Sequence, residues 1–221
     1  MTVSLVTNRA VNIRAVSIRN LGRTDYSQTY EAMRRFTAAR DAATPDELWL
    51  TEHSPVYTVG AAGRPEHLPG AGADTRIAVK RIDRGGQITY HGPGQPIVYT
   101  LLDLGRRGLK VRALVQCLEQ AVIDLLGTYN VQALRKPGSP GVYVDGAKIA
   151  ALGLRVTRHG CYHGVALNVD MDLTPFHFID PCGYPGLAVT QTRALGITAN
   201  AAELGEALAR LIVELLEPAH V

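Results

Sequence analysis

Residues 141–154 read Gly-Val-Tyr-Val-Asp-Gly-Ala-Lys-Ile-Ala-Ala-Leu-Gly-Leu, and this stretch carries the clearest fold signal in the chain. Two apolar, strand-like runs flank Asp145-Gly146, a dipeptide that favours the tight turn of a β-hairpin. The pattern therefore predicts two antiparallel strands, over residues 142–144 and 147–154.

Further strand and helix signals surround the hairpin without regular alternation. Strands are predicted over residues 13–19, 48–52, 56–59, 77–82, 96–102 and 164–169. Helices are predicted over residues 25–40, with Asp25 as the N-cap, over 111–126, and after Asn200, where Glu203 completes a capping box. This order predicts an α+β fold with a mixed, mostly antiparallel sheet and flanking helices. We expect residues 1–12 to be an extension and residues 13–221 to form one domain.

Composition narrows the class of protein. The chain has 221 residues, 46% hydrophobic residues and a net charge of +3, so neither a nucleic-acid function nor a membrane segment is expected. Its three cysteines are an odd, sparse set, which favours a reducing compartment such as the cytoplasm over a disulfide framework. Basic residues cluster at Arg76, Lys80, Arg81 and Arg84, and again at Arg106, Arg107, Lys110 and Arg112. Such clusters are either solvated faces or surfaces that attract an acidic partner.

Lys148 is the only charge in the second strand of the hairpin. On a regular strand it would share a face with Ala150, Leu152 and Leu154. If that face belongs to the core, a buried amine could act as a base or as a cation that holds a thiolate. The alternative is an edge-strand lysine whose side chain reaches solvent.

Cys182 lies in the run Pro181-Cys182-Gly183, within a segment too rich in Pro and Gly for a helix or a central strand. A loop thiol is accessible to a substrate and lies near backbone N–H groups that stabilise an anion. The alternative is a free cysteine that fills a turn. Cys117, by contrast, falls among the apolar positions of a predicted helix and is expected to be structural.

The segment Arg84–Gln95 combines five Gly or Pro residues with polar side chains. Glycine lets a backbone approach a ligand closely, and polar side chains can orient it, so the segment is a candidate binding loop. It contains neither a P-loop nor a dinucleotide-binding glycine pattern. An ordinary turn between strands is the alternative.

A zinc site is a weaker hypothesis. His159, Cys161 and His163 alternate and would face one way from a strand, with His177 and Cys182 further along the chain. Their spacing matches no standard zinc pattern, so we expect no metal.

Taken together, five ordered segments resemble the lipoyl(octanoyl) transferases, octanoyl-[acyl-carrier-protein]:protein N-octanoyltransferases of the biotin and lipoate protein ligase superfamily. The segments are Glu52–Gly60, Arg84–Gln95, Gly141–Val156, His163–Val169 and Pro181–Gly183. They span nearly the whole chain in the family order. Ser54, where the family commonly has proline, is a minor departure.

The resemblance implies a fold like the catalytic domain of the biotin and lipoate ligases, and a reaction without a cofactor. An octanoyl or lipoyl group passes from acyl carrier protein to Cys182 as a thioester, with Lys148 promoting the thiolate, and then to a lysine. The acceptors are lipoyl domains of 2-oxoacid dehydrogenases and the glycine cleavage H protein. We expect the enzyme to act as a monomer.

The resemblance also implies a substrate pocket. Its residues are Arg84, Gly85, Gly86, Gln87, Ile88, Thr89, Tyr90, His91, Ala151, Leu152, Gly153, Gly164, Val165 and Ala166, with His53 and His163 as further candidates.

Three other functions stay open from the sequence. An ATP-dependent lipoate or biotin ligase would need Lys148 but not Cys182. A binding module for a lipoyl or fatty acyl ligand would form no covalent adduct. A zinc hydrolase would bind a metal.

Overall fold

The computed structural model describes residues 15–70, 72–180 and 186–217. Its helices and strands, in chain order, are β1 (Val16–Thr24), α1 (Tyr26–Ala38), β2 (Asp46–His53), β3 (Val56–Val59), β4 (Ala78–Arg81), β5 (Ile88–His91), β6 (Ile97–Leu101), α2 (Leu104–Arg107), α3 (Val111–Gly127), β7 (Leu134–Lys136), β8 (Ser139–Val144), β9 (Ala147–Thr157), β10 (Gly160–Leu167) and α4 (Ala201–Leu216). Among these residues, seven strands form a large sheet in the order β1-β2-β6-β10-β9-β8-β7, and three form a small sheet in the order β4-β3-β5. Neighbouring strands are antiparallel except for β1 with β2 and β3 with β4. The predicted α+β class with a mixed, mostly antiparallel sheet is confirmed.

The predicted hairpin joins β8 to β9. Asp145 and Gly146 have φ of 48° and 83°, and two positive values define the type I′ turn that this dipeptide favours. The hairpin contains one irregularity, because Tyr143 pairs with Lys148 while Val142 pairs with Ala150. Ile149 is therefore an extra residue in β9, and such a bulge shifts the alternation of side chains between the two faces of the sheet.

Helices cover both faces of the large sheet. On one face, α3 and α4 pack against Val98 and Val165 in the largest apolar cluster. On the other face, Met33 of α1 packs against Ile97 and Tyr99. Consecutive residues of β6 thus serve opposite layers, as the period of a strand requires.

Side-chain caps fix the starts of α1 and α4, as the sequence predicts. The Asp25 carboxylate accepts a hydrogen bond from the backbone N–H of Gln28 at 3.0 Å. Asn200 and Glu203 form the reciprocal bonds of a capping box.

Several elements escape the sequence prediction. The Arg84–Gln95 segment contains a strand, β5, where only a loop was considered. The short elements α2 and β7 are also unpredicted, and β10 begins at Gly160, four residues before the predicted start. Part of the predicted strand 13–19 lies outside the described residues, and the described strand β1 continues to Thr24.

Several basic residues of the two clusters are buried or form ion pairs with a buried carboxylate. Asp46 is completely buried and accepts hydrogen bonds from Arg106 at 2.7 Å and Arg107 at 2.5 Å, and it is also paired with Arg40. Arg84 is buried as well. The exposed remainder of the two clusters is Arg76, which pairs with Asp74, together with Lys80, Arg81, Lys110 and Arg112. No described helix combines the length and apolar character needed to cross a membrane.

Candidate active site

A cavity lies between the large sheet and the small sheet, with the start of α1 beside it. The space within it, counting the part open to solvent, is about 730 Å³. The large sheet contributes Ile97, Tyr99, Lys148, Ala151, Leu152, Gly153, His163, Gly164, Val165, Ala166 and Asn168. The remaining lining residues are Tyr26, Arg84, Gly86, Gln87, Ile88, Thr89, His91, Phe176 and Val189.

The cavity floor is made of small residues paired across β9 and β10. Gly153 lies opposite Gly164, and Ala151 lies opposite Ala166. A Cβ atom on Gly164 would lie 2.0 Å from the Val98 carbonyl oxygen, so β10 can approach β6 at this point only without a side chain. The floor therefore presents an apolar surface that leaves room for a chain above it.

The pairing of β9 with β10 shows which residues lie at each end of the cavity. The Asn168 N–H donates to the Ile149 carbonyl at 2.9 Å, so Asn168 and Lys148 lie toward the same end. His163 lies five residues along β10 from Asn168, which corresponds to about 16 Å at the usual rise of a strand. One end of the cavity is thus marked by an amine and an amide, and the other by aromatic rings.

Lys148 is buried, with 3% of its surface exposed. Its Nζ donates to the Pro140 carbonyl at 3.1 Å and lies 5.2 Å from the centre of the Tyr143 ring. Of the two alternatives left open by the sequence, Lys148 is the buried lysine and not the solvent-reaching one, but the shared face with Ala150 expected of a regular strand is not observed. Ala150 belongs to the α3 and α4 cluster, and the bulge at Ile149 places the lysine on the opposite face, toward the cavity.

The backbone around Lys148 also binds a distant part of the chain. Its N–H donates to the Ala188 carbonyl at 2.8 Å, and its carbonyl accepts from the Thr190 N–H at 3.0 Å. Val189, between these two residues, lines the cavity. Cys182 itself lies in residues 181–185, outside the described part of the chain. The described residues on either side, Phe176 and Val189, both line the cavity.

A hydrogen bond between Tyr99 and His53 fixes the orientation of both side chains near the aromatic end of the cavity. His53 Nδ1 lies 3.0 Å from the Thr24 carbonyl, which can only accept, so Nδ1 carries the proton. Nε2 is then free to accept from the Tyr99 hydroxyl at 2.7 Å. Burial lowers the pKa of His53, which favours the same neutral form. His53 does not line the cavity, but it fixes the orientation of Tyr99, which does.

His163 has an unusual backbone for a strand residue. Its neighbours Cys161 and Val165 belong to the α3 and α4 cluster, so regular alternation would direct His163 there too. Instead, its φ of 66° lies in the left-handed region, and its ring stacks on Tyr30 of α1 at 5.7 Å. This conformation costs roughly 1–2 kcal/mol for a residue other than glycine. Such strain is common where a side chain must be directed into a functional site.

Asp83 holds His163 in this position. Its carboxylate accepts from His163 Nε2 at 3.3 Å and from the Tyr162 hydroxyl. Partial burial alone would raise the pKa of Asp83, but hydrogen bonds from His163, Tyr162 and Tyr30 hold it well below the usual range. Burial lowers the pKa of His163, so its ring is neutral near pH 7. The Asp83 carboxylate therefore stays ionised near pH 7 and accepts the hydrogen bond that orients the neutral His163 imidazole.

A third buried histidine, His91, helps to orient the Asn168 amide at the opposite end of the cavity. His91 Nδ1 lies 2.7 Å from the Gln95 side-chain oxygen, and Gln95 Nε2 donates to the Asn168 side-chain oxygen at 2.9 Å. Burial lowers the pKa of His91 to about 3, so it is neutral in the folded protein. Gln95 thus fixes the orientation of the Asn168 amide, and His91 fixes the orientation of Gln95.

Arg84 anchors the loop that forms the opposite wall of the cavity. Its guanidinium donates to the Thr58 carbonyl at 2.7 Å, to the Thr58 hydroxyl at 2.9 Å and to the Gly85 carbonyl at 3.0 Å. Gly153 permits this packing, because a Cβ there would lie 2.8 Å from Arg84 Cδ. Arg84 thereby joins the two sheets across the cavity.

The cavity brings together most of the predicted pocket. Of those residues, Gly85, Tyr90 and His53 do not line it. Sequence reasoning missed Tyr26, Ile97, Tyr99, Asn168, Phe176 and Val189 as lining residues. Tyr26 and Tyr99 looked like core residues of a helix and a strand, and only Asn168 gave a signal, as an amide that ends an apolar strand.

The two described cysteines are poor nucleophiles. Burial raises the pKa of the Cys117 and Cys161 thiols to about 11 in each case, so both stay protonated near neutrality. The structure does not support the zinc hypothesis. Cys161 lies in the α3 and α4 core, whereas His163 faces α1, so the two side chains do not point the same way. Among the described residues, no three His, Cys, Asp or Glu side chains are grouped to hold a metal.

Comparison with known proteins agrees with this architecture. Residues 25–211 match the family model of the lipoyl protein ligase A/B catalytic domain. An octanoyltransferase of Aromatoleum aromaticum is 58% identical over 206 residues, which is 93% of this chain and 88% of that protein. An octanoyltransferase of Thiobacillus denitrificans is 62% identical over 192 residues, which is 86% of each protein.

A solved structure shows the same fold at low sequence identity. It describes an archaeal lipoylation system from Thermoplasma acidophilum, a bipartite lipoate protein ligase and its E2 lipoyl domain. The matching chain has a TM-score of 0.68 at 14% identity, with 91% of this chain and 83% of that chain covered. The chain therefore belongs to the lipoyl protein ligase A/B catalytic-domain family and, within it, is similar over most of its length to the octanoyltransferases.

Proposed function

We propose that this chain is an octanoyltransferase that uses Cys182 as a covalent carrier. An octanoyl, or lipoyl, group passes from acyl carrier protein to Cys182 and then to the ε-amine of a lysine on a lipoyl domain. The observation that carries the proposal is the apolar cavity with a buried lysine at one end, in a chain whose relatives are named octanoyltransferases. Residues 13–221 would form one catalytic domain that acts as a monomer in the cytoplasm.

The cavity suits a medium-length acyl chain. Its floor of Gly and Ala pairs gives an alkyl chain room to lie along β9 and β10. Each methylene transferred from water to such a surface contributes about 0.8 kcal/mol. The thioester would lie at the Lys148 end, which directs the methyl end toward Tyr99 and His163.

Three features support Cys182 as the nucleophile. Cys117 and Cys161 are the other cysteines of the chain, and both have a raised pKa. Cys182 lies six residues before Ala188, whose carbonyl is bound by the Lys148 backbone. Phe176 and Val189, six residues before and seven residues after Cys182 in the chain, line the cavity.

The first half-reaction transfers the acyl group to the enzyme. The Cys182 thiolate attacks the thioester carbonyl, with the thiol proton held by Lys148. The new carbon–sulfur bond forms as the bond to the carrier's sulfur breaks, and the carrier leaves as a thiol after taking up that proton. A free thiol near neutrality is only a few per cent ionised, so a neighbouring ammonium raises the fraction that can react.

The second half-reaction forms the amide. The acceptor lysine attacks as a free amine and loses one proton to Lys148. The bond between the acyl carbon and Cys182 then breaks, and the thiolate is regenerated beside the Lys148 ammonium. Lipoyl domains of 2-oxoacid dehydrogenases and the glycine cleavage H protein are the proposed acceptors. The thioester already contains the acyl-transfer energy, so neither ATP nor a metal takes part.

The intact mass of the protein after incubation with octanoyl-acyl carrier protein tests the proposal. We expect one octanoyl adduct that hydroxylamine removes and that Cys182→Ser abolishes. Cys117→Ser is the matched control and should retain the adduct. Lys148→Ala should slow adduct formation by about 100-fold or more, as loss of a general acid–base group does. A Cys182-independent product that requires ATP would replace the proposal with a ligase function.

A further inference from the structure

A second groove adjoins the cavity, and we call it the α3 groove. It lies between the start of α3, the turn before β8, the outer edge of β9 and the loop at Gly86. Its apolar walls are Val111, Val115, Pro140, Leu152 and Leu154. The space within it is about 1020 Å³, including the part open to solvent. The groove is therefore an open, largely apolar channel beside the cavity.

The α3 groove shares part of its lining with the cavity and reaches the Lys148 amine. Leu152 and Gly153 line both spaces, as do Gly86 and Gln87 on the opposite wall. Pro140, in the wall of the groove, accepts the hydrogen bond from Lys148 Nζ at 3.1 Å. A molecule lying in the groove would therefore reach the amine that marks the reacting end of the cavity.

Two basic residues adjoin the groove residue Val111 in the chain. Lys110 and Arg112 are exposed on either side of Val111, which is itself 42% exposed. Neither basic residue forms an ion pair with another described residue. This distinguishes them from Arg106 and Arg107 nearby, which bind the buried Asp46. Their charge is available to an anionic partner.

We propose that the α3 groove binds the phosphopantetheine arm of the thioester donor, and that Lys110 and Arg112 bind the phosphate and the acidic carrier protein at its base. The inference rests on the proposed function, because it requires a donor whose acyl group is carried on such an arm. The arm is long and slender, and its apolar segments suit the walls formed by Val111, Val115, Pro140, Leu152 and Leu154. An acceptor lysine is a single side chain and would not need the groove for most of its length.

Donors of different length distinguish binding of the arm by the groove from binding of the carrier protein by the basic residues. The rate of octanoyl-enzyme formation is measured in single turnovers, without an acceptor, from octanoyl-acyl carrier protein, octanoyl-pantetheine and octanoyl-N-acetylcysteamine. In Lys110→Glu/Arg112→Glu, we expect the second-order rate constant of acyl-enzyme formation from the carrier protein to fall about tenfold at low salt, with a weaker dependence on salt. The rate with octanoyl-N-acetylcysteamine, which lacks most of the arm, should change less than twofold. Val111→Asp should slow octanoyl-pantetheine as well, because a carboxylate would then line the apolar groove.

The matched control is Lys80→Glu/Arg81→Glu, which makes the same change of charge on the exposed strand β4. It should leave all three rates unchanged. An equal loss in the control, or an equal loss with all three donors in Lys110→Glu/Arg112→Glu, would overturn the proposal. So would a defect confined to transfer from the acyl-enzyme to a lipoyl domain, which would assign the groove to the acceptor. Absence of an adduct from every donor in the unmodified protein would instead refute the proposed function.

Discussion

The floor of the cavity predicts how acyl chain length is selected. Ala151 lines the cavity opposite Ala166, between the Lys148 end and the Gly153–Gly164 pair. Ala151→Val adds two methyl groups to this floor while keeping a residue type that suits a strand. The added carbons would displace the bound chain by roughly two methylenes toward Tyr99 and His163, where the last two methylenes of an octanoyl group, which a hexanoyl group lacks, would lose their contact.

The size of the effect follows from burial. Two methylenes at about 0.8 kcal/mol each give about 1.6 kcal/mol, or about 15-fold in a rate ratio. We expect the ratio of kcat/KM for octanoyl to that for hexanoyl, both carried on the same donor, to fall by this factor in Ala151→Val. The assay is the initial rate of acyl-enzyme formation followed by intact mass.

A matched substitution separates this effect from a general disturbance of the fold. Ala78 lies on the exposed strand β4, so Ala78→Val makes the same chemical change outside the cavity and should leave the ratio unaltered. An unchanged octanoyl-to-hexanoyl ratio in a folded Ala151→Val protein would show that the acyl chain does not lie on this floor.

Three further predictions concern stability and pH. Because the pKa of His91 falls to about 3 in the folded protein, against about 6.5 in an unfolded chain, protons favour the unfolded state between these values. Stability should therefore drop as the pH falls from 6.5 toward 3, and chemical denaturation should show that His91→Gln reduces the slope by up to about 1.4 kcal/mol per pH unit. Gly164→Ala would place a Cβ 2.0 Å from the Val98 carbonyl oxygen, so we expect a loss of about 2–4 kcal/mol and a lower melting temperature by calorimetry; a Tm within 1 °C of the parent protein would contradict the close approach. Asp46→Asn would leave buried guanidinium groups without their shared carboxylate, and we expect denaturant titration to show a loss of about 3–5 kcal/mol, whereas a loss below about 1 kcal/mol would mean that the ion cluster contributes little.

The sequence predicts the elements with strong local signals. The Asp145-Gly146 turn and the Asn200–Glu203 capping box are decided by a few adjacent residues, and both are observed. The small strand β5 escapes prediction because its stability comes from pairing with β3 rather than from the Gly-rich segment that surrounds it.

In the site, too, features with a local sequence signal are predicted, and features that depend on distant contacts are not. The predicted pocket segments are brought together because each contains glycines and small residues that only a close approach explains, as at Gly153 and Gly164. Tyr26 and Tyr99 could not be assigned to the cavity, since a buried tyrosine looks the same in sequence whether it packs in a core or faces a ligand. The expectation that Lys148 shares a face with Ala150 was wrong, because a bulge depends on register with a partner strand and has no reliable local signature.

The extra residue Ile149 makes the site sensitive to the number of residues in the hairpin as well as to their identity. Inserting one residue between Val142 and Tyr143, opposite Ile149, would restore regular pairing between β8 and β9. Lys148 would then share a face with Ala150, and its amine would lie in the apolar layer beneath α3 and α4. Natural variation in this hairpin should therefore allow exchanges of side chains much more readily than an insertion in β8.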